Sequence, residues 1–128
     1  MTDRPPSPVR NPTVPDSEHP ALRILVHIGE SDHHAGQPLY TAIVEAARKA
    51  GLAGATVFKG IEGYGAHSVV HAARIVDLSA DLPIVVELID SADAIRGFLP
   101  ALTAMVADGL ITLEDVRIVY RGEGKARS

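Results

Sequence analysis

Between positions 59 and 74 the chain reads KGIEGYGAHSVVHAAR, and much of what could do chemistry gathers there. Gly60, Gly63 and Gly65 free the backbone to take positive φ, so N–H groups could be turned toward a phosphate. The order is neither a G-x-G-x-x-G between a strand and a helix nor a P-loop, because no Gly-Lys-Ser/Thr follows. A strand bulge or a loop base accounts for the same glycines without a ligand. Lys59 and Arg74 are the cations nearest the glycines and could neutralise an anion, although isolated charges are also content in water. Tyr64, on a glycine-flanked turn, suits stacking on a base or filling an interface.

His67 and His71 stand four apart. On a helix they would share a face and hold a metal with a third ligand, for which His33 and His34 are the candidates. The glutamate of the zinc-protease pattern is missing, and one solvated histidine plus one in an interface hydrogen bond is the simpler reading. Glu30 and Asp32 could form a general acid/base pair, but no serine–histidine–acid order accompanies them. Turn formation and hydrogen bonding at a helix start suit them better. With no nucleophile, base or metal in a reaction template, the chain is not expected to be an enzyme.

The elements that must position these residues follow from composition and periodicity. A length of 128 residues fits one domain with one core. The absence of cysteine excludes disulfides, thiolate metal sites and a cysteine nucleophile. A net charge of −4 with dispersed basic residues and only 4% aromatics excludes the footprint of a nucleic-acid binder. The first twenty residues hold six of the nine prolines and few large apolar side chains, so 1–20 is expected to be a disordered tail. It has no apolar stretch suited to secretion, and no run of about 18 apolar residues occurs anywhere. A cytoplasmic protein without direct membrane insertion is therefore expected.

Leu22 to Ile28 alternates with period two and predicts a strand. Pro38 suits the first position of a helix carrying Leu39, Ile43, Ala46, Ala47 and Ala50, with Arg48 and Lys49 in its last turn and Gly51 as its stop. GATVFKG, 54–60, and LPIVVELID, from Leu82, predict a second and a third strand. Asp90 or Ser91 caps a second helix with Ile95, Phe98, Leu99, Leu102 and Val106 on one stripe and a kink near Gly97–Pro100. After a turn at DGLIT, LEDVRIVYR predicts a fourth strand, and 122–128 is expected to be flexible.

This order, βαββαβ, predicts an α+β, ferredoxin-like fold: a four-stranded antiparallel sheet with both helices on one face. Ile84, Val86 and Leu88 alternate with apolar Val85 and Ile89, and Leu25 adds to that second face, so the bare side of the sheet calls for a partner subunit. The connection from Ile61 to Asp81 is far longer than the usual 4 to 6 or so residues, as functional connections often are.

LRILVHIGESDHHAGQPLYTAIVEAARKAGLAGATVFKGIEGYGAHSVVHAARIVDLSADLPIVVELID, followed by FLPALTAMVADGLITLEDVRIV, resembles the bacterial and archaeal domain of unknown function 190 family, a PII-like group. The resemblance covers about 21–121. It implies a ferredoxin-like homotrimer that regulates rather than catalyses, binding an adenine nucleotide or another small anionic effector between subunits, with the 61–81 connection as a regulatory loop and no obligatory metal. It places ligand-binding residues at Gly63, Tyr64, Gly65, His71 and Arg74, and the charged Lys59, Glu62 and Glu30 complete the candidate ligand-binding set. It also implies a membrane transport partner, since such proteins are often encoded near fluoride-exporting channels. Ala66 stands where PII proteins carry an arginine, and DGLITLEDV replaces their glycine- and lysine-rich turn. The rival expectation is a metal-binding trimer similar to copper-tolerance proteins of the same fold, using His67, His71 and His33 or His34.

Overall fold

The computed structural model describes residues 18–65 and 81–122. In chain order its elements are β1 (His19–Gly29), β2 (His33–His34), β3 (Gln37–Pro38), α1 (Leu39–Lys49), β4 (Gly54–Lys59), β5 (Pro83–Asp90), α2 (Ala92–Met105) and β6 (Leu110–Ile118). The long strands form one antiparallel sheet in the order β4-β5-β1-β6, which with its two crossover helices is the ferredoxin-like arrangement expected from the sequence.

Alternation along the strands decides what the sheet buries. Leu22, Ile24, Val26 and Ile28 of β1 and Ile84, Val86 and Leu88 of β5 all enter the core. The apolar stripes of both helices meet them, through Leu39, Ile43 and Ala47 of α1 and Ile95, Phe98 and Leu102 of α2. Both helices therefore share one face of the sheet. On the other face lie Leu25, Val85 and Ile89, half-buried within the single chain, with Phe58 and Leu110 more than half exposed.

The ends of the helices follow local rules. Pro38 immediately precedes α1, whose first N–H, on Leu39, donates to the Asp32 carbonyl at 2.7 Å. Ser91 caps α2, its Oγ accepting from the Ala94 N–H at 3.2 Å. The helix continues through Pro100 as far as Met105.

Two expectations need correction. β1 begins at His19, three residues before Leu22, because β6 reaches back to pair Ile118 with His19. Residues 19 and 20 thus belong to the sheet and not to a tail. β6 spans 110–118, so Leu110, Ile111 and Thr112 are strand rather than turn, while Val119, Tyr120 and Arg121 lie beyond it. The polar GESDHHAGQ stretch between β1 and α1 folds as the β2–β3 hairpin.

That hairpin turns on Ala35 at φ 52° and Gly36 at φ 83°, two successive left-handed residues between paired His34 and Gln37, as in the tight turns that favour Asn-Gly. Alanine carries a steric cost there that asparagine largely avoids. Ala35→Asn is expected to stabilise the fold by roughly 0.5–1 kcal/mol, read as a Tm rise of a few degrees by calorimetry. An unchanged or lowered Tm would refute this.

Candidate functional site

The glycine-rich segment leaves the sheet at the end of β4, beside the turn that follows β1. Its first glycine serves packing. A Cβ on Gly60 would lie 2.7 Å from Cγ of Pro83, and the Gly60 N–H donates to the Pro83 carbonyl at 2.7 Å. That N–H is committed to the sheet and not offered to a phosphate. Gly63, at φ 150°, also lies against the Pro83 ring, whereas a Cβ on Gly65 would meet none of the described residues. Two of the three glycines thus let the outgoing chain close against the start of β5, as a loop base requires.

Lys59 and Glu30, 29 positions apart, meet here with Nζ 2.8 Å from Oε2. The hydrogen bond to Glu30, reinforced by the Glu30 charge and by Tyr40, raises the Lys59 pKa above its ordinary 10.5, so the group is cationic at neutral pH. Both side chains stay partly in water, at 54% and 37% exposure, so the pair contributes little to stability.

The β1 turn also grips the returning chain. The Glu30 N–H donates to the Leu82 carbonyl at 2.9 Å, and the Ser31 N–H to Oδ1 of Asp81 at 2.7 Å. Asp32 accepts from the Gly29 N–H at 2.9 Å, and His33 donates from Nδ1 to the Ser31 carbonyl at 2.6 Å. Glu30 and Asp32 are thus occupied in ion pairing and turn formation, not set side by side for acid/base work.

Of the predicted ligand-binding residues, Lys59, Glu30, Glu62, Gly63, Tyr64 and Gly65 gather at this end of the sheet, with Tyr64 77% exposed and Ile61 95% exposed. His71 and Arg74 lie outside the described residues, as does His67. Among the described residues no group of three or more His, Asp or Glu is placed to hold a metal. Sequence reasoning missed Asp81, Pro83 and Tyr40, which only the fold brings to this corner. It also missed Arg23 on the open face, where Nη2 lies 2.6 Å from Glu114 and Nη1 3.4 Å from Glu87. A signal was available, since Arg23 and Glu87 fall on the face opposite the core by the period of two.

Comparison of structures places the fold in the PII-like class. A protein of Thermus thermophilus described as PII-like and signaling superposes with TM-score 0.58 at 18% identity, covering 80% of this chain and 92% of that one. CPII of Thiomonas intermedia, a nitrogen regulatory PII-like protein bound to ADP, AMP and bicarbonate, superposes with TM-score 0.53 at 16% identity, covering 80% and 92%. By sequence, the chain belongs to the DUF190 family, described as an uncharacterized ACR, whose model matches residues 21–118. A UPF0166 protein of Aquifex aeolicus is 40% identical over 99 residues, covering 77% of this chain and 91% of the relative. A UPF0166 protein of Methanocaldococcus jannaschii is 36% identical over 101 residues, covering 78% and 92%. No helix among the described residues is long and apolar enough to cross a membrane.

Proposed function

We propose that this chain is a non-enzymatic, cytoplasmic regulator that assembles as a homotrimer and binds a small anionic effector, an adenine nucleotide, between subunits. The observation that carries this reading is the exposed Glu62–Gly65 loop base, seated beside the cationic Lys59 at the end of β4 in a PII-like fold. Lys59 supplies charge and Tyr64 a ring for stacking, with His71 and Arg74 contributing from the rest of the connection. The likeness to CPII, which binds ADP and AMP, supports the choice of nucleotide. Occupancy would be reported to a membrane transport protein, such as a fluoride channel, through the 61–81 connection, which shifts only as far as the effector prefers one of its states.

Calorimetry and thermal shift with ATP, ADP, AMP and cyclic AMP test this reading. At a hundredfold excess over Kd, a true effector stabilises the fold by about 2.7 kcal/mol, a shift of several degrees. No heat and no shift across the panel would remove the nucleotide.

A further inference from the structure

We propose that Glu30 is a built-in competitor for the effector's anionic group: its carboxylate holds Lys59 when the site is empty and is displaced by the ligand. The proposal rests on the reading above that the effector is anionic. It deepens that reading by identifying what the effector must first replace.

Four observations carry it. Lys59 is the cation placed at the loop base, and its Nζ already has a carboxylate at 2.8 Å. The pair lies at the surface, 54% and 37% exposed, so an anion from solvent can reach it. Exposed pairs of this kind are worth little, so exchanging one carboxylate for a better-placed anion is cheap. Finally, Glu30 sits where the connection leaves and returns, its N–H bonded to the Leu82 carbonyl while Gly60 is bonded to Pro83. Displacing its side chain leaves those backbone bonds in place. The exchange therefore alters charge at both ends of the connection without dismantling the sheet.

The experiment is calorimetric titration of ADP, and separately of inorganic pyrophosphate, into the wild type, Glu30→Gln, Lys59→Met and Glu45→Gln. The last removes one negative charge from the exposed Glu45 of α1, which accepts from Gln37 Nε2 rather than pairing with Lys59, and controls for net charge. Circular dichroism checks that each variant is folded. Glu30→Gln is expected to tighten binding about two- to fivefold, the range set by the worth of an exposed pair, and more than Glu45→Gln does. Lys59→Met is expected to weaken binding at least tenfold. ADP binding to the wild type with no gain in Glu30→Gln beyond the Glu45→Gln control would overturn the competitor role and leave the nucleotide reading standing. A gain for pyrophosphate with no ADP binding would do the reverse. No binding by any variant would overturn both.

Discussion

Leu25→Asp, and equally Val85→Asp, is expected to convert the proposed homotrimer into folded monomers. Leu25 lies on β1 opposite Glu87 and Thr112, and Val85 lies on β5 opposite His27 and Phe58, all on the face turned away from the helices. Ile89, Leu110 and Phe58 extend that face as partly exposed apolar surface, the kind of feature that marks an interface when it is contiguous. Arg23 at its centre is already paired, donating from Nε to Glu114 at 2.8 Å and lying beside Glu87, so the face holds one cation between two carboxylates. A new carboxylate would have no such partner and would cost several kcal/mol per copy in a dry contact, lowering association by more than about a hundredfold. Both residues lie on the sheet face away from the core and keep part of their surface in water in the single chain, so the subunit itself should stay folded. Light scattering after gel filtration at micromolar concentration, with far-UV circular dichroism, reads both outcomes. A wild type that elutes as a monomer would sink the assembly, and a Leu25→Asp protein that stays associated would move the contact elsewhere.

The second large effect lies on the opposite face. Ile43→Ala is expected to lose about 2–5 kcal/mol, and Leu102→Ala a similar amount. Both side chains are fully buried, one on each helix, where the helices meet the sheet. Truncation leaves a cavity that surrounding β-branched residues of β1 and β5 cannot easily collapse to fill. Against a total stability of roughly 5–15 kcal/mol this is a large fraction. In urea the midpoint should fall with little change in slope, and Leu99→Ala, at a half-buried position on α2, should fall less. A loss below about 1 kcal/mol for Ile43→Ala would contradict the assigned core.

Ile43 and Leu102 were legible in the sequence, because helical spacing alone puts them on the buried stripe. So were the strand order and the apolar second face of β5, since Val85 and Ile89 interrupt a pattern that should read polar. The register of β6 was not. Asp108-Gly109 gives a turn signal and Val119-Tyr120 prolongs the apolar alternation, so local pattern slid the strand three residues late, whereas pairing with β1 decides where it starts and stops. The β2–β3 hairpin was hidden because alanine, not asparagine, stands at its first left-handed position. At the candidate site, the glycines and Lys59 were visible as types, but the Lys59–Glu30 pair joins residues that only the sheet order makes neighbours. Gly60 by type suited a phosphate contact or a loop base equally, and Pro83 lying across from it makes it a packing position.

The strand order has a consequence for synthesis. β1 is the first strand made, yet its partners, β5 and β6, are the last two, and β4 pairs with β5 as well. No strand of the main sheet has a neighbour until residues 83–90 have left the ribosome. At about 5–20 residues per second, β4 waits roughly one to five seconds for β5, and β1 waits longer. Folding governed by such distant pairings is slow for a domain of this size, and the nascent chain is most prone to aggregate before β5 emerges.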